Sequence, residues 1–248
     1  MPRFFVLPGE IGEGEVLLTG ENAHHISRSL RMAAGETVTV CDGAGRDYFC
    51  RLAAFRADCV RAEILSQEPS ASEPPYLIRV YQGLPKGDKL DEVIQKTVEC
   101  GAGEVIPFES SRCVARVGDG KKEPERTARR NRIAHTAAGQ CGRGRLPAVR
   151  ATCPFAEAVR DAAGAGLALF CYEGAGTRPL GEVLKEARAA GVPADISVMV
   201  GSEGGFSPEE AERARDAGMI PVGLGKRILR TETAAVFVLA GLALTWEL

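Results

Sequence analysis

The alternation of apolar and polar positions divides the chain into two unlike stretches. Over residues 1–68, short runs rich in β-branched and aromatic side chains recur at 4–7, 16–19, 37–41, 48–52 and 59–65, separated by turn pairs such as Asp42-Gly43. Short strands at this spacing predict a small β-barrel. A single helix, over 23–32, interrupts it. Residues 66–75 are polar, proline-rich and without period, the composition of a linker. The domain boundary is placed there, with a linker over 69–75 and a second domain over 76–248.

The second stretch alternates strand and helix. A strand at 77–82 precedes Leu90, Val93, Ile94, Thr97 and Val98, which fall at the i, i+3, i+4, i+7 and i+8 positions of an amphipathic helix. Strands follow at 104–107, 167–172, 196–200 and 220–222, with helices at 123–141, 154–163 and 180–190 between them. Such alternation predicts a parallel α/β sheet. Ser207, Pro208 and Glu210 form a capping box with proline at the first helical position, and Gly218 ends that helix. Thr231 is positioned to cap a last helix. Its stretch 234–244 has no polar side, yet is too short to cross a bilayer, which predicts burial in the core or against another subunit.

Glycines follow three of these strands, at 174–176, at 201–205 and at 223–225. They free the backbone for positive φ or for close approach to a ligand; the plainer reading is a tight turn. The spacing is neither that of a dinucleotide fold nor that of a P-loop.

Charge alters this picture only locally. The formal net charge is −2, so no global basic field points to nucleic acid, but residues 112–150 hold eleven cationic residues against three acidic ones. Arg3, Arg28, Arg31, Lys86, Lys89, Arg112, Arg143 and Arg145 are the candidate phosphate contacts, with solvated surface positions as the alternative. His24 and His25 are adjacent, so on a helix they diverge and do not chelate one metal together. The eight cysteines contain no C-x-x-C pair, which predicts reduced thiols and no zinc. Neither a signal-like apolar run at the N-terminus nor a segment of transmembrane length is present, and the expectation is a soluble, cytoplasmic protein.

Two motifs carry a resemblance. Val198-Met-Val-Gly-Ser-Glu-Gly-Gly-Phe206 and Leu224-Gly-Lys-Arg-Ile-Leu-Arg-Thr-Glu-Thr-Ala234 resemble the RsmE family, methyltransferases of the SPOUT superfamily acting on uridine N3 of small-subunit ribosomal RNA. His24-His25-Ile26 with Arg28 and Leu30-Arg31-Met32, and the stretch from Lys86 to Lys96, are similar to further family motifs. The resemblance implies a SPOUT-type α/β trefoil-knot domain preceded by a PUA-like β-barrel. It implies S-adenosylmethionine held where three glycine turns meet, with Val200, Gly201, Ser202, Glu203, Gly204, Gly205, Gly223, Leu224, Gly225, Ile228, Leu229, Arg230, Thr233 and Ala234 as the binding residues. Removing the uridine N3 proton calls for a base, for which Glu203 and Glu232 are the acidic candidates, and Arg230 is placed to stabilise charge on the uracil oxygens. Ribosomal RNA, within an assembled small subunit, and a second copy of the chain are the implied partners; no metal is required. Ser202 stands where the family has proline and Gly139 where it more often has glutamate. Those departures keep open a non-catalytic ribosome-assembly protein on the same scaffold; a SPOUT enzyme acting on another RNA is the third alternative.

Overall fold

The computed structural model describes residues 1–116 and 120–248. Asp119, one of the acids counted in the basic stretch, lies outside the described residues. Two compact units result: Met1–Glu73 with Ala138–Leu146, and Pro74–Ala137 with Pro147–Leu248.

The first unit contains β1 (Arg3–Phe5), β2 (Glu15–Thr19), α1 (Gly20–His24) running into a π-helical turn at His25–Ser29, β3 (Thr37–Cys41), β4 (Arg46–Phe55) and β5 (Cys59–Pro69). The strands form one sheet in the order β1-β3-β4-β5-β2, parallel between β1 and β3 and antiparallel elsewhere. Period-two alternation turns Val16 and Leu18 of β2 inward, where they meet Phe4, Ile26, Val38, Val40, Leu52 and Val60 in one apolar core. The expected helix begins earlier, at Gly20, and ends at Ser29 in the π turn, after which Arg31 takes a φ of 52°. The first part of the expected linker is strand: β5 continues to Pro69, pairing Gln67 with Tyr48 and Pro69 with Arg46. Both faces of its last five residues are exposed, so no apolar period announced a strand held by its ladder to β4.

Residues 138–146 join this unit through an ion pair. Glu73 accepts hydrogen bonds from Arg143 Nη2 at 2.7 Å and from the backbone N–H groups of Gly144 and Arg145, while Gly45 N–H donates to the Gly144 carbonyl.

In the second unit, β6 (Leu77–Gly83), α2 (Lys89–Glu99), β7 (Ala102–Glu109), α3 (Glu123–Cys141), β8 (Ala148–Val149), β9 (Cys153–Pro154), α4 (Phe155–Ala162), β10 (Leu167–Cys171), β11 (Arg178–Pro179), α5 (Leu180–Ala190), β12 (Asp195–Val200), α6 (Pro208–Asp216), β13 (Ile220–Gly223) and α7 (Thr231–Trp246) follow in turn. Residues 138–141 of α3 count with the first unit. All strands pair in parallel, in the order β11-β13-β10-β12-β6-β7-β8, with β9 also on β7. Because β10 lies between β12 and β13, the loops leaving the C-terminal ends of these three strands emerge side by side, the usual place for a ligand in a parallel sheet.

The capping box forms as the sequence predicts: Ser207 Oγ accepts from Glu210 N–H, and Glu210 Oε2 accepts from Ser207 N–H. Thr231 does not cap α7. It is the first helical residue, Arg230 is the N-cap without a side-chain hydrogen bond, and the buried Thr231 hydroxyl donates instead to the Gly201 carbonyl at 2.6 Å. Along α7, Ala234, Ala235, Val238, Leu239 and Leu242 are buried, whereas Phe237 and Leu244 are 44% and 66% exposed. Among the described residues no helix is long and apolar enough to cross a membrane.

Candidate active site

The loops after β10, β12 and β13 enclose a cavity of about 640 Å³ within the second unit. Cys171, Tyr172, Glu173 and Gly174 come from the first loop, Val200 to Phe206 from the second, and Leu224, Gly225 and Arg227 to Thr231 from the third, with Ala234 from α7. Its size suits a small organic ligand, and five of its lining residues are glycines.

Local chemistry explains why the second loop bends so tightly. Gly205 has a φ of 63°, and its N–H donates to the Ser202 carbonyl at 2.9 Å. At the end of β6, a Cβ on Gly83 would stand 2.6 Å from the Ser202 nitrogen, so this strand approaches the loop closely enough to require glycine. Phe206 then anchors the loop in the core, its ring 4.4 Å from that of Phe170 and stacked on Phe108 at 6.1 Å.

Charged groups gather at the cavity around Lys89, whose ammonium lies 2.9 Å from Glu203 Oε1 and 3.8 Å from Glu232 Oε2. Burial alone would raise the Glu203 carboxyl, but hydrogen bonds from Lys89 and from backbone N–H groups outweigh it and hold the group below its ordinary value. The hydrogen bond from Lys89 to Glu203 correspondingly raises the ammonium. Arg112 also lines the cavity, with Nη1 3.4 Å from the Gly204 carbonyl.

Twelve of the fourteen expected cofactor residues line this cavity; Gly223 and Thr233 do not, the first lying in β13 and the second on the exposed side of α7. Of the three expected catalytic side chains, Glu203 and Arg230 face the cavity. Glu232 stands behind it: the residue is buried, and its Oε2 is out of solvent with no hydrogen bond. Its Oε1 lies 3.9 Å from Arg230 Nη1.

The candidate RNA contacts also separate. Arg28, Arg31, Lys86, Arg112 and Arg145 are exposed. Arg143 is not presented to solvent: its side chain is 5% exposed and paired with Glu73. Arg3 is occupied by Asp47, which takes both guanidinium nitrogens at 2.8–2.9 Å. Sequence spacing held no sign of either pairing, because each acid is remote in the chain. Gly139 has room around it, since an added Cβ would meet only Phe5 Cε2, at 3.9 Å. Tyr172, Phe206, Arg227 and Thr231 line the cavity without having been singled out as ligand contacts, and Lys89 and Arg112 line it although read as RNA contacts. For Tyr172 the available signal was its place just past a strand and ahead of Gly174.

Comparison with known proteins bears on both units. A family profile described as "RNA methyltransferase domain" matches residues 72–243, and one described as "RNA methyltransferase PUA domain" matches residues 18–55. The ribosomal RNA small subunit methyltransferase E of Bacillus subtilis is 33% identical over 254 aligned residues, which cover 100% of this chain and 98% of that protein. Its namesake from Synechocystis is 34% identical, covering 96% of this chain and 76% of that one. Among solved structures, ribosomal RNA small subunit methyltransferase E from Neisseria gonorrhoeae, bound to S-adenosyl methionine, is 32% identical, with a TM-score of 0.83 over 99% of this chain and 98% of that one. The observed α/β architecture, a parallel-sheet domain preceded by a PUA-like unit, agrees with these relatives.

Proposed function

Because the chain belongs to the RNA methyltransferase family and aligns end to end with ribosomal RNA small subunit methyltransferase E proteins, we propose that it methylates small-subunit ribosomal RNA from S-adenosylmethionine, at N3 of a uridine. The observation that carries this reading is the convergence of three glycine-bearing turns on one cavity.

The residues present suit the cofactor. Backbone groups of Val200 to Gly205 and of Leu224, Gly225 and Leu229 offer hydrogen-bonding partners for adenine and ribose, while the side chains of Leu224, Ile228 and Leu229 supply apolar surface for the faces of the base. When bound, the cofactor supplies an electrophilic methyl group on a sulfonium. The protein's part is to align the acceptor with it.

The acceptor nitrogen carries a proton that must be lost. With Glu232 behind the wall and Glu203 tied to Lys89, cationic groups take the leading role: Lys89 and Arg230 favour the deprotonated uracil by stabilising charge on its oxygens, and solvent takes the proton. Exposed Arg28, Arg31 and Arg145 in the first unit, and Lys86 and Arg112 in the second, contact RNA phosphates. Arg3 and Arg143 serve the fold. The exposed apolar residues of α7 support a homodimer, the substrate is the assembled small subunit, and the protein acts in the cytoplasm where subunits are found.

Nucleoside mass spectrometry tests the reading directly. Unmethylated small subunits incubated with the protein and methyl-labelled S-adenosylmethionine are expected to yield labelled 3-methyluridine. Label in another nucleoside overturns the assigned atom, and no label on subunits or free ribosomal RNA overturns the enzymatic assignment.

A further inference from the structure

At the C-terminal end of β6, one strand removed from β10, Gln82 is fully buried and reaches under the cavity wall without lining it. Its amide is a hub. The two N–H groups of Nε2 reach three acceptors, Thr231 Oγ1 at 2.7 Å, the Gly83 carbonyl at 2.9 Å and, as a longer, shared bond, the Gly201 carbonyl at 3.3 Å. Thr231 Oγ1, having accepted that bond, donates its own proton to the same Gly201 carbonyl. The carbonyl of Gly201 therefore receives two donors, which fixes the peptide plane that begins the 201–205 turn. The same hydroxyl fixes the first residue of α7, and hence the end of the 224–230 loop. A single side chain thus holds two of the three cavity loops in register.

Two observations separate this role from ordinary core packing. Gln82 Oε1 is buried without a hydrogen bond, so the side chain carries an uncompensated acceptor that an apolar residue would remove. Its bonds also converge on the cavity loops: one goes to the start of the 201–205 turn, one to Thr231, where the 224–230 loop enters α7, and one to its own strand end.

We infer that Gln82 is a positioning residue for the cofactor cradle, acting through Gly201 and Thr231. This rests on reading the cavity as the S-adenosylmethionine site. Replacing Gln82 by Leu removes the clasp and the orphaned acceptor together, so ligand affinity falls while the fold is largely retained.

Isothermal titration of the full chain with S-adenosylmethionine, paired with thermal unfolding without ligand, makes the test. Gln82→Leu is expected to weaken binding about tenfold, the loss of one to two hydrogen bonds, with a midpoint lowered by no more than about 4 °C. Thr231→Val should weaken binding by a similar factor, the double variant little more than either single one, and Thr231→Ser, which keeps the hydroxyl, should recover most of the loss. Equal affinities for the unaltered protein and Gln82→Leu overturn the inference alone, as does a double variant whose losses multiply. If Gln82→Leu does not fold, the Val and Ser replacements at Thr231 decide, and equal affinity in those two overturns it. Absence of binding by the unaltered protein overturns the reading of the cavity, and the inference with it.

Discussion

Lys89 has three N–H donors and uses one on Glu203, while Glu232 stands too far away, at 3.8 Å, for a second hydrogen bond. An ammonium beside a cavity is what a developing anion requires, so Lys89→Met is expected to lower kcat by about 10²-fold, the usual effect of losing one such donor. Single-turnover methyl transfer measures this, and an unchanged rate would return the role to Arg230. The carboxylate of the pair leads to a pH prediction. Glu203 is more acidic in the folded protein than its ordinary value of 4.5, so its contribution to stability is present above the unfolded value and is lost as pH falls through the folded one. Thermal midpoints followed from about pH 6 down to about pH 3 should therefore fall more steeply for the unaltered protein than for Glu203→Gln. Parallel curves would show the tie to be without effect on stability.

At the scale of elements, the start of α6 follows from its own few residues. Ser207→Ala removes one half of the capping box and is expected to cost about 1 kcal/mol, seen as a midpoint lowered by about 2–4 °C in calorimetry. What is local is legible in the order of residues alone: the cap, the apolar positions of α2, the strand that Gly201 ends and the alternation that makes the sheet parallel. The rest depends on partners distant in sequence. Thr231 stands at the start of an apolar helix as a capping residue would, yet a carbonyl thirty residues away claims its hydroxyl. Arg143 and Arg145 look alike beside their glycines, but the Glu73 carboxylate draws in the first guanidinium and only the backbone N–H of the second. Gln82 is inconspicuous in its strand, because its three acceptors come together only when the loops do.

For the molecule as a whole, α7 leaves Phe237 and Leu244 in solvent although the helix is otherwise apolar through most of its length. Light scattering is expected to give twice the mass of one chain, and Leu244→Glu to give a single chain with much reduced methyl transfer. A fully active monomer would remove the dimer from the account. The grouping of residues 138–146 with the N-terminal unit has a consequence in time. A nascent chain has made all five strands of that unit by Pro69, but Glu73 waits for Arg143, Gly144 and Arg145 until about seventy more residues are added. At roughly 5–20 residues per second this is an interval of about 4–15 s, in which the five-stranded sheet is exposed with a buried-site carboxylate still lacking its guanidinium. The first unit synthesised is thus completed only when more than half of the protein has left the ribosome, and an N-terminal fragment ending at the boundary carries that unfinished state permanently.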